Sequence, residues 1–147
     1  MQTNRHDQFI SQLETQIATI TEFNVLTQFD ANKWDSYLFP YIYVDLGPDK
    51  IDYEFENGVD FSGVQSFILI MGLDTSTDGD IRSRFSTINL KVEKIFKNWK
   101  IDNLSTSDFN LNIFHTRVLE IEPIRNYGQT KEIYIIYGEI KYLQTWK

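Results

Sequence analysis

The 147-residue chain has no cysteine. Disulfides, thiolate metal sites and a cysteine nucleophile are thereby excluded. Histidine is scarce. His6 lies in a polar N-terminus, and His115 falls mid-strand between Phe114 and Thr116. A hydrolase triad needs a nucleophile, a base and an orienting group in contact. A lone strand histidine reads as structural. No G-x-S-x-G, P-loop or dinucleotide G-x-G-x-x-G pattern occurs, and Gly72 and Gly79 are too isolated to cradle a phosphate. No apolar run reaches membrane-spanning length, and Met1 to Asp7 carries neither a signal peptide nor a lipidation motif. The expectation is a soluble protein, made in the cytoplasm, with no membrane partner and no cofactor.

Positive charge is scarce in the first half. Residues 1–80 hold 3 Lys/Arg against 14 Asp/Glu, whereas residues 81–147 hold 11 Lys/Arg against 7 Asp/Glu. Two surfaces of opposite sign would suit head-to-tail stacking on copies of the same chain or on a partner. Alternatively, the charges mix on folding. The net charge of −7 argues against sequence-independent nucleic-acid binding, which requires a basic patch.

What the chain has in abundance is apolar and aromatic: 41% hydrophobic residues, with 11 Phe and 8 Tyr. Its length and this content predict one domain, residues 1–147, with a substantial core. Excess aromatics fit a β-rich core or a protein contact surface.

Phe9, Ile10, Leu13, Ile17 and Ile20 recur at spacings of three and four, predicting a helix over 7–20. A short strand is expected within 23–29. In the strand 37–46, Leu38, Ile42, Val44 and Leu46 alternate with Tyr37, Phe39, Tyr41 and Tyr43, which places the aromatic row on its own face. Gly47-Pro48-Asp49 reads as a turn. Ile51, Tyr53 and Phe55 then alternate with Asp52, Glu54 and Glu56, and Asn57-Gly58 with Val59-Asp60-Phe61 suggests a return strand. Residues 50–61 thus form an acidic hairpin, possible as an extension of the domain. Val64 to Leu73 is apolar at nearly every position, as in a central strand covered on both sides.

Asp74 to Asp80 is a polar loop. Its aspartates lack EF-hand spacing, so Asp78 or Asp80 reads as a helix cap. A helix over 81–99 follows, with Ile81, Phe85, Ile88, Val92, Ile95, Phe96 and Trp99 on one stripe. After a polar connector at 101–110, two long strands span 111–125 and 131–145. A shift of the apolar phase between Val118 and Leu119 hints at a bulge. The fold class is therefore α+β, a mostly antiparallel sheet with two helices packed on one face. The other face would carry the Tyr37/Phe39/Tyr41/Tyr43 row, left for a partner subunit to cover.

Two charged groups have two readings each. Asp52, Glu54 and Glu56 either protect a strand edge or form an electrostatic surface. Lys91, Lys94 and Lys97, with Lys100, either form a solvated helix face or meet a neighbour's acidic hairpin.

This layout resembles the tail-terminator or tail-completion (neck ring) proteins of tailed bacteriophages. The matching features are the N-terminal helix and short strand, the segment Phe39-Pro40-Tyr41-Ile42-Tyr43-Val44, the strand Phe67 to Leu73, the amphipathic helix 81–99, and the closing strand Ile133 to Ile140. The resemblance covers nearly the whole chain and is one of element order and texture. It implies a non-enzymatic virion protein of the tail or neck. Its partners would be itself, in a six-fold or twelve-fold ring, and adjacent portal, connector or tail proteins, with DNA passing through without sequence-specific binding. On that basis Tyr37, Phe39, Tyr41, Tyr43, Lys91, Lys94 and Lys97 are candidate subunit-interface residues. Asp52, Glu54, Glu56 and Asp60 are candidate channel-facing acids, with the subunit interface as their other placement. The competing reading is a soluble α+β enzyme or small-ligand-binding domain with a pocket between helices and sheet.

Overall fold

A computed structural model describes residues 4–20, 22–52, 59–97, 104–124 and 130–147. The chain opens with helix α1 (Arg5–Ala18). The Asn4 side chain caps it by accepting the Asp7 N–H at 2.8 Å, and Phe9, Leu13 and Ile17 form its buried stripe. Strand β1 (Asn24–Leu26) is shorter than the 23–29 segment expected, and a 3-10 turn at Ala31–Lys33 follows.

Strands β2 (Tyr41–Asp52) and β3 (Phe61–Asp74) form a long hairpin. Gly47-Pro48, read from sequence as a turn, instead lies inside β2. The β2–β3 register shifts between Leu46 and Asp49 and then continues to Asp52 opposite Ser62. A proline cannot donate to a ladder, but a bulge on an edge strand accommodates it, and among the described residues β2 has an outer neighbour only where β1 pairs with Tyr41–Tyr43. Of the expected acidic hairpin, Lys50 to Asp52 form the end of β2 and Phe61 begins β3. Glu54, Glu56 and the Asn57-Gly58 turn lie outside the described residues. The expected return strand begins only at Phe61.

Asp74 caps a single-turn helix, α2 (Thr75–Asp78), by accepting the Ser76 N–H at 3.0 Å. Asp80 accepts the Arg82 N–H at the start of helix α3 (Ile81–Lys97), as the capping reading expected. The polar connector contains a two-residue strand, β4 (Leu104–Ser105), absent from the sequence reading. It pairs with β5 (Phe109–Ile124), which pairs along its length with β6 (Lys131–Trp146). The register shift at Val118/Glu120 matches the expected bulge, and a second lies at Ile113/His115.

The sheet order is β1-β2-β3-β6-β5-β4, antiparallel except for the parallel β1–β2 pair. Both long helices pack on one face, as the α+β reading expected. Phe9 of α1 meets Tyr142, and Phe96 of α3 meets Phe67 with ring centroids 5.2 Å apart. Burying each such side chain stabilises the fold by about 2 kcal/mol. Phe67 lies over Gly138, where a Cβ would collide with its ring and with the Arg117 carbonyl. The glycine is what makes room for the aromatic ring against the sheet.

Candidate interaction surface

The helix-free face of the sheet can be read row by row from the strand register. The first row is Tyr41–Gly72–Ile133–Ile124, the second Tyr43–Ile70–Ile135–Glu122, and the third Asp45–Ile68–Tyr137–Glu120. Beyond them come Ser66–Glu139–Arg117 and Lys50–Val64–Lys141–His115. Residues directly opposite one another share a face, so these rows define a surface.

The expected bare aromatic face is corrected by this arrangement. Tyr37 and Phe39 precede β2 rather than belonging to it. Tyr41 is fully buried under its own chain, and Phe39 is 8% exposed. Segment 27–40 folds back over this corner. Phe29 packs on Tyr37, Tyr41 and Tyr43, and the Tyr41 hydroxyl donates to the Trp34 carbonyl at 2.8 Å. Burial raises the Tyr41 and Tyr43 hydroxyl pKa values, with nearby negative charge adding to the effect. Gly72 makes room for the Tyr41 ring, since a Cβ there would collide with it.

What remains open is aliphatic. Ile68, Ile70, Ile133 and Ile135 are half-buried on the face away from the two long helices, and Ile124 is exposed. The sequence carried the signal, because Val64 to Leu73 and the first half of β6 are apolar on both alternations. The expectation that β3 is covered on both sides holds only for the Phe67, Leu69 and Met71 side.

Charge on this face is sorted. The aliphatic patch has Glu120 and Glu122 along its β5 margin and Asp45 along its β2 margin. The other end is basic, with Lys50, Lys141, His115 and Arg117. There Glu139 accepts from Arg117 Nε at 2.7 Å and lies 3.3 Å from His115 Nε2. Burial opposes ionisation of Glu139, but these hydrogen bonds outweigh it and hold its pKa below the ordinary carboxylate value. The two β5 bulges leave Phe114 and Leu119 exposed at 45% and 55%.

The lysines are not equivalent. Lys91 is ion-paired with Glu22, whose pKa it lowers. Lys94 and Lys97 are exposed and pair with no described residue. Of the four acids, Asp52 is exposed at the end of β2, and Asp60 accepts the Trp146 backbone N–H at 3.1 Å.

Among the described residues no three His, Asp or Glu side chains converge as a metal site would require, and no helix is long and apolar enough to cross a membrane. A groove of about 700 Å³ lies between the start of α3 and the ends of β5 and β6, with Phe85 stacked on Tyr134 at its wall. The Tyr134 hydroxyl donates to Glu132 at 2.7 Å.

No family model matches this chain, and no curated protein matches it in sequence. The fold does have a counterpart. A chain in the solved virion of a native gene transfer agent (GTA) particle superposes with a TM-score of 0.53, over 91% of this chain and 91% of that one, at 10% identity. The likeness is therefore one of fold, and it spans both layers of the molecule.

Proposed function

We propose that this chain is a non-enzymatic structural protein of a tailed-phage virion. It assembles as a homo-oligomeric ring at the head–tail neck or the top of the tail and joins neighbouring rings around the DNA channel. The observation that carries this reading is the end-to-end fold likeness to a chain of a GTA virion. It agrees with the phage tail-terminator resemblance of the element order. An open aliphatic sheet face supports self-association, because exposed apolar patches on folded proteins mark contact surfaces.

In such a ring the four acids singled out from the sequence, Asp52, Glu54, Glu56 and Asp60, face the channel. A negative wall repels DNA phosphates and lets the genome pass without adhering. Replacing all four with Lys is expected to leave rings intact and to impair DNA delivery by the assembled particle. Loss of the rings would instead assign these acids to the subunit contact.

Sedimentation velocity and native mass measurement on the purified chain test the main reading. A discrete hexamer or dodecamer is expected. A chain that stays monomeric at every accessible concentration and fails to incorporate into particles would overturn it.

A further inference from the structure

The ring reading leaves open which surfaces meet, and the structure narrows that choice. On the sheet layer, the patch Ile68, Ile70, Ile133 and Ile135 carries two exposed acids, Glu120 and Glu122, along one margin. On the opposite layer, the outer face of α3 presents Leu90, 65% exposed, followed by Lys94 and Lys97 one and two turns on. Buried Ile88, Val92 and Phe96 point the other way, into the core. One layer thus offers apolar surface edged with acids, and the other an apolar side chain followed by bases.

Spacing matches as well as sign. Glu120 and Glu122 are two residues apart on a strand, about 7 Å. Lys94 and Lys97 are three residues apart on a helix, a rise of about 5 Å. Long lysine side chains absorb that difference while their stems lie along apolar surface. The Tyr137 hydroxyl donates to Glu122 at 2.9 Å, which holds that carboxylate beside the patch.

Resting on the ring reading, we propose that the Glu120/Glu122-edged sheet face of one copy seats the Leu90–Lys94–Lys97 face of α3 from the next. The two surfaces lie on opposite layers of one molecule, so the contact is heterologous, and each copy offers one of each. Repetition of such a contact closes into a ring when its rotation divides a full turn. Lys91 has no part in it, being paired with Glu22 within the chain.

A charge-swap cycle tests this. E120K/E122K and K94E/K97E are each expected to weaken self-association about 10- to 100-fold while leaving the thermal unfolding of the monomer near wild type. Combining all four in one chain restores opposite charges across the contact and is expected to recover most of the loss. The milder E120Q/E122Q variant serves if the reversal disturbs β5. Wild-type rings with unaffected reversals, or reversals that weaken assembly without recovery in the combined chain, would overturn this interface and leave the ring reading standing. A wild-type chain that never self-associates would remove both.

Discussion

The Tyr142 hydroxyl donates to Asp49 Oδ1 at 2.7 Å, while Arg5 grips the other oxygen of the same carboxylate at 2.8 Å. One side chain of the β2 bulge thereby ties the first turn of α1 to the C-terminal part of β6. Arg5 also donates to Gln144 at 2.7 Å and lies over the rings of Phe61 and Tyr142.

Asp49→Ala removes the acceptor and leaves Arg5, only 13% exposed, without its counter-ion. Losing one partner of a largely buried pair costs more than the pair contributes, because the remaining charge stays desolvated. A loss of about 2–3 kcal/mol is expected, read as a lower urea midpoint. Asp49→Asn, which keeps an acceptor oxygen but not the charge, is expected to lose less.

Glu139 sets a pH dependence. Its folded pKa lies below its unfolded value of about 4.3, so the unfolded chain takes up the proton first as pH falls. Its contribution is complete above that unfolded value and is lost as pH drops through the lowered folded value. The stability gap between wild type and Glu139→Gln is therefore expected to be constant near neutrality and to shrink in acid. Because Arg117 is 60% exposed, the gap at pH 7 is expected to be about 1 kcal/mol or less. Urea titrations at pH 7 and pH 3 measure both ends.

Tyr41 anchors segment 27–40 through the Trp34 carbonyl. Tyr41→Phe keeps the ring over Gly72 and deletes one buried hydrogen bond, at a cost of about 1 kcal/mol. Limited proteolysis is expected to show faster cleavage within 27–40 with the rest of the domain protected. Tyr41→Ser, which empties a core position, is expected to lower the unfolding temperature sharply rather than to alter self-association alone.

Local pattern determined more of this protein than its lack of motifs suggests. The stripes of α1 and α3, the capping by Asp80 and the bulge after Val118 all follow from side-chain period and backbone propensity, which act over a few residues. So did the two-layer plan, because two amphipathic helices and a set of strands have few ways to bury their apolar faces. Tertiary structure alone decided the rest. Gly47-Pro48 reads as a turn until β3 is seen running past it, since a bulge is defined by the partner strand. The Tyr37–Tyr43 alternation marks two faces but not which one the chain covers, and only the return of segment 27–40 seals Tyr41 while the isoleucines stay half-buried. The pairing of Glu120 and Glu122 with an aliphatic patch from β3 and β6 brings in Ile68 and Ile70 from fifty or more positions away, a distance that no period along the chain encodes.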